Sequence, residues 1–120
     1  MSKTTGVSAD GRTMRMAQAI ARAEGYGVPG AIPTLRNNPG NIRNTAPPYE
    51  IRSYATIEEG WSALYRQVAR MLAGSSLYPV NWTIEEVAAR YTGEAAYMNW
   101  ARIVASTLNV STNTIFSRAV

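Results

Sequence analysis

Apolar residues along the chain recur mostly at intervals of three and four, the spacing of helices with one buried face, and the breaks in that spacing mark where helices stop. Asp10 is placed to cap a helix from Gly11 to about Glu24, on which Met16, Ile20 and Glu24 share one face, with Gly25 as the stop. Thr56 and Glu59 have capping-box spacing ahead of Trp61, Leu64, Tyr65, Val68, Met71 and Leu72, an apolar stripe that runs up to Gly74. Thr83 and Glu86 repeat the box before Val87, Ala88 and Tyr91, and Gly93 ends that helix. Tyr97, Ala101, Val104 and Leu108 define a further helix from about Glu94 to Leu108, widened by Trp100 and Ile103. A last short helix is expected near Ser111, burying Ile115 and Phe116.

The stretch from Tyr26 to Ser53 breaks this rhythm. It holds five of the six prolines and several glycines, so it reads as turns and short extended pieces with a small ribbon around Ile42 and Ile51. Ile32, Leu35, Ile42, Tyr49, Ile51 and Tyr54 give it apolar anchors, and an ordered segment of this length is usually functional. The expected architecture is mainly α within an α+β class: about five helices and a loop or β-ribbon region lining a cleft. Residues 1–10 are expected to be a flexible start and 11–120 one domain, as suits a chain of 120 residues.

Composition narrows the chemistry. Without His or Cys, the chain has no imidazole or thiolate nucleophile, no ordinary zinc site and no disulfide, and no metal or cofactor is expected. Eleven of the twelve basic residues are arginine, and Asp10 is the lone aspartate among eight acids. The net charge of +4 favours an anionic partner, but the arginines are scattered without the block or motif of a nucleic-acid reader, so nucleic acid is not the expected partner. Met1 to Gly11 lacks an apolar run, so neither a secretory signal nor a membrane span is expected, and the chain is expected to be made in the cytoplasm. A monomer is expected.

Two features carry candidate chemistry. Glu24 closes the Met16 and Ile20 stripe at a helix C-terminus, where burial and the helix dipole both disfavour a negative charge and suit a general acid. The alternative is a last-turn glutamate in solvent or paired with Arg22 or Arg43. Asn37-Asn38-Pro39-Gly40-Asn41-Ile42-Arg43 sets three amides and an arginine around a turn, able to bind sugar hydroxyl and acetamido groups or to satisfy its own backbone. Tyr26, Tyr49, Tyr91, Tyr97 and Trp100 could offer stacking faces to sugar rings or pack in the core.

Three pieces together resemble the lysozyme-like superfamily, specifically small lytic transglycosylase domains of bacteria and phages. They are Ile20-Ala21-Arg22-Ala23-Glu24-Gly25, the Asn37 to Arg43 segment followed by Tyr54, Gly60 and Trp61, and Ala89-Arg90-Tyr91-Thr92-Gly93 with Tyr97 through Val104. The resemblance implies a lysozyme-like fold acting on peptidoglycan glycan strands, with Glu24 as general acid and then base. It makes Tyr97 or Tyr91 the group that orients the carboxyl or lines the cleft. From the residue types themselves, Asn37, Asn38, Asn41, Arg43, Tyr91 and Tyr49 are the expected substrate contacts. Tyr91-Thr92-Gly93 is shorter than the family's usual tyrosine turn, so either tyrosine can face Glu24.

Hydrolysis with inversion or retention requires a second carboxylate. Glu58, Glu59, Glu85 and Glu86 sit at helix starts, leaving Glu50 as the main candidate and Glu94 behind it. The transglycosylase route needs one acid only, because a sugar hydroxyl of the substrate closes a 1,6-anhydro ring. A muramidase using Glu24 with Glu50, or a non-catalytic wall-binding protein, are the alternatives. With no signal expected, action on the wall is expected to rely on carriage in a virion, release as an endolysin or a bacterial export machine.

Overall fold

The computed structural model describes residues 10–93 and 95–120. Among them the chain forms five helices: α1 (Gly11–Glu24), α2 (Ile32–Leu35), α3 (Ile57–Ala73), α4 (Ile84–Thr92) and α5 (Tyr97–Leu108), followed by a 3-10 turn at Phe116–Arg118. Glu94, expected at the start of the last long helix, and the residues before Asp10 lie outside the described part.

Caps fix the helix ends much as the sequence predicts. The Asp10 carboxylate accepts the Thr13 N–H at 2.8 Å, and that bond holds the carboxyl below its ordinary pKa. Gly25 takes a left-handed φ of 89°, and Tyr26 N–H returns to the Ala21 carbonyl at 3.0 Å, so α1 stops sharply with Glu24 in its last turn. Thr83 and Glu86 make the full reciprocal box at α4. At α3 the Thr56 hydroxyl accepts from Glu59 N–H, but the Glu59 carboxylate reaches one residue further back, to Ala55 N–H at 3.1 Å.

The apolar faces meet in one core. Met16 and Ile20 of α1, Leu64 and Val68 of α3, Ile84 of α4 and Val104 of α5 are each 0% exposed, and burying each contributes about 1.5–3 kcal/mol. α5 packs against both α1 and α4, and α1 also lies on α3. Phe116 closes the base of the core from the 3-10 turn, where a short helix from Ser111 was expected. Ile115 instead pairs with Thr83 and is only partly buried.

The expected α+β class and its ribbon are not found. The fold is an all-α bundle, and no β-strand occurs among the described residues; Arg43 and Ile51 make an isolated antiparallel pair. Asn44 N–H bonds Glu50 O at 2.8 Å and Arg52 N–H bonds Ile42 O at 2.9 Å, but the ladder does not extend in either direction. On one side Pro47 and Pro48 lack N–H donors. On the other, the Asn38 side-chain amide donates to the carbonyls of Ile42 and Arg52, both at 2.9 Å, so a side chain does the work of a neighbouring strand. α2, with Pro33 in its first turn, is a further departure from the turns expected between residues 26 and 53.

The loop sits directly on α3 because Gly60 has no side chain. A Cβ there would lie 1.8 Å from the Asn37 carbonyl oxygen, a clash that only a backbone shift relieves. Alanine favours a helix over glycine by about 1 kcal/mol, whereas overpacking costs about 1–3 kcal/mol or more, and the second effect wins where the obstacle is backbone. Gly60→Ala is therefore expected to destabilise the protein by about 2 kcal/mol or more in urea unfolding, and a stabilised variant would contradict the close approach.

Candidate active site

Glu24 ends the α1 face that begins with Met16 and Ile20, and its carboxyl is half-buried. Two N–H donors hold it. Trp100 Nε1, from α5, donates to Oε2 at 2.8 Å, and Asn41 Nδ2, from the loop, donates to Oε1 at 3.2 Å. The carboxyl thus points across a junction of three elements rather than along the surface.

Behind these donors stands Tyr91 of α4. Its ring lies on the Trp100 ring with centroids 5.3 Å apart, and its hydroxyl donates to the Gly40 carbonyl at 2.7 Å. Burial, followed by the negative charge of Glu24, pushes the Tyr91 phenol well above its ordinary 10.0, so it remains a neutral donor. Gly40 is needed for this contact, since a Cβ there would lie 2.6 Å from Leu64 Cδ1 and 3.0 Å from the Tyr91 oxygen.

A cavity of about 180 Å³ opens over the carboxyl. Its walls are Ala23 and Glu24 from α1, Asn41 and Arg43 from the loop, Tyr91 and Thr92 from α4, and Ala96, Asn99 and Trp100 around the start of α5. Glu24 is the one carboxylate among these lining residues. A second depression of about 190 Å³ shares Asn41, Arg43 and Tyr91 and adds Ile42, Gln67 and Tyr78, so the concave surface continues past the first cavity.

The other candidate residues divide by location. Asn38 is 0% exposed; its amide donates to Ile42 and Arg52 carbonyls, and its oxygen accepts Ile42 N–H at 2.9 Å. Asn37 donates to the Tyr54 carbonyl at 3.1 Å and adopts a φ of 51° that asparagine tolerates. Both build the loop, whereas Asn41 reaches the carboxyl, with its Oδ1 buried and without a hydrogen-bond partner. Arg43 lines both depressions and donates to the Tyr49 carbonyl at 3.2 Å. Tyr49 itself is 52% exposed at the loop tip.

Glu50 is exposed and lines a separate depression with Arg36, Arg52 and Tyr54, sharing no wall residue with the Glu24 cavity. Tyr97 is partly buried against the core and is not among the cavity's lining residues, so Tyr91 is the tyrosine beside Glu24. Trp100 stands among the sequence candidates only as packing or a stacking face. Its role as a donor was signalled by its polar tip, because a buried indole N–H needs an acceptor. Thr92, Ala96 and Asn99 carry no sequence signal of their own.

No family model, curated protein or solved structure matches the chain.

Two outcomes test this construction. Asn38→Ala removes three bonds, leaving the Ile42 N–H and the Arg52 carbonyl without their Asn38 partner while the Ile42 carbonyl keeps Arg52 N–H, and is expected to cost about 2–4 kcal/mol in urea unfolding. The raised Tyr91 pKa has a definite sign: the unfolded phenol ionises first, so stability is present below pH 10.0 and declines as pH rises through the folded value. Alkaline melting curves should fall less steeply for Tyr91→Phe than for the parent protein.

Proposed function

We propose that the protein is a peptidoglycan lytic transglycosylase, with Glu24 as its single acid and base. The observation that carries this reading is a half-buried carboxyl held by two N–H donors at the floor of a cavity with no other carboxylate in its described walls. Such a group can protonate the glycosidic oxygen between N-acetylmuramic acid and N-acetylglucosamine as the C1–O bond breaks. It can then take the proton from the muramyl C6 hydroxyl as the C1–O6 bond closes, giving a 1,6-anhydro end without consuming water. The substrate's acetamido group supports the positive sugar centre between these steps.

Hydrolysis is less well supported, since the second carboxyl must stand within about 5–10 Å of the first across the scissile bond. Glu50 opens onto another depression, and Glu94, the other candidate, lies outside the described residues. A purely wall-binding role is less economical, because binding sugars does not require both carboxyl oxygens to be held by N–H donors. Thr92, Asn99 and Arg43 offer polar contacts around the carboxyl, with the Tyr91 and Trp100 rings nearby, a mixture suited to a sugar polymer bearing anionic groups. Among the described residues no helix is long and apolar enough to cross a membrane. Carriage in a phage particle, or release through a membrane lesion, would bring the protein to the wall.

Incubation of purified protein with peptidoglycan is expected to release anhydro-muramyl fragments, and Glu24→Gln to slow that release by about 10²–10⁴-fold with the fold intact. Reducing ends without anhydro sugar would replace this reading with hydrolysis. Unchanged wall material would overturn the enzymatic reading altogether.

A further inference from the structure

Two of the side chains around Glu24, Trp100 and Asn41, differ in what they can do when the carboxyl gains a proton. The Trp100 indole nitrogen is a donor only. At 2.8 Å from Oε2 it can serve a carboxylate oxygen or the carbonyl oxygen of the acid, whereas a hydroxyl at Oε2 would be a poorer acceptor. The Asn41 amide carries both functions. Its Nδ2 lies 3.2 Å from Oε1, and its Oδ1 is buried without a partner, so turning the amide would present an acceptor to Oε1 in place of the donor.

Packing sharpens the asymmetry. Trp100 is 4% exposed on α5 and backed by the Tyr91 ring, while Tyr91 is tied to Gly40. The indole therefore cannot rotate away when the carboxyl titrates. From these contacts we propose that Trp100 is the positioning residue of the acid: it reserves Oε2 as an acceptor in both protonation states and leaves Oε1 to carry the transferable proton. In the reaction the Oε1–H bond breaks as an O–H bond forms on the leaving sugar oxygen, and Oε1 later takes the sugar hydroxyl proton; Trp100 transfers nothing. The identity of those proton partners rests on the transglycosylase reading, but the coupling of Trp100 to Glu24 belongs to the free protein.

That coupling has an optical consequence. Among the described groups lining the cavity, the loop contributes the cationic Arg43, α4 contributes Tyr91, whose phenol is pushed well above its ordinary 10.0, and α5 contributes Asn99 and Trp100, which do not titrate. A step in Trp100 emission in mild acid that is lost in Glu24→Gln therefore reports Glu24.

The experiment follows tryptophan emission of the full chain, without substrate, as pH falls through the carboxylate range. Trp61 and Trp82 remain in Trp100→Phe, so the difference between the two proteins isolates Trp100. The parent protein is expected to show a step that disappears in both Trp100→Phe and Glu24→Gln. On peptidoglycan, Trp100→Phe should lower kcat by about 10-fold or more with KM within about 2-fold, and should displace the limb of the pH–rate profile set by Glu24. Absence of a step in the parent, or its survival in Glu24→Gln, overturns the proposal, and this pair decides even if Trp100→Phe fails to fold. A folded Trp100→Phe with unchanged kcat and pH profile also overturns it. A Glu24-dependent step in a protein that releases no glycan fragment keeps the coupling and overturns the transglycosylase reading instead.

Discussion

A stretch of backbone that crosses a protein without forming helix or sheet must find partners for its N–H and C=O groups elsewhere, and here the Asn38 side chain supplies three of those bonds. It closes the turn at Ile42 and reaches the carbonyl of Arg52, tying two arms of the loop together from within. The placement of Asn41 over Glu24, of Gly40 under Tyr91 and of Arg43 at the cavity rim follows from that tie. Gly60 permits it by letting the Asn37 carbonyl rest against α3.

The long helices were legible because their information is local. Asp10, Thr83 and Gly25 act within one turn of themselves, and the burial of Met16, Ile20, Leu64 and Val104 follows from spacing alone. The ribbon expected around Ile42 and Ile51 was a misreading for a physical reason. Apolar anchors in a proline-rich segment look alike whether the backbone is satisfied by a partner strand or by a buried amide, and only the fold distinguishes the two. The Asn-rich segment shows the same limit: of three amides that look equivalent in sequence, two are occupied by backbone and one meets the carboxyl. Glu24 stood out because an acid continuing an apolar face at a helix C-terminus breaks a local preference. Trp100 did not, since its contact spans 76 residues and its spacing within α5 already accounted for it as packing.

The site draws its parts from the end of α1, the loop, the end of α4 and the start of α5, and none of these holds the geometry alone. Their common reference is the core shared by Ile20, Leu64, Val87 and Val104, so the distance from Trp100 to Glu24 depends on how that core packs. The scarcity of carboxylates gives this arrangement its chemical direction. Among the described walls Glu24 is the one acid, and the proposed reaction takes its second functional group from the substrate.

Tyr49 holds a φ of 58°, a conformation that bulky residues rarely adopt, while its carbonyl accepts the Arg43 guanidinium. The wall beside the cavity is thus braced at its exposed tip as well as at its buried base. Ordering that wall is a cost already met when the chain folds. A ligand arriving there has only its own freedom to surrender, so its affinity should track the fit of its contacts rather than the entropy of a closing loop.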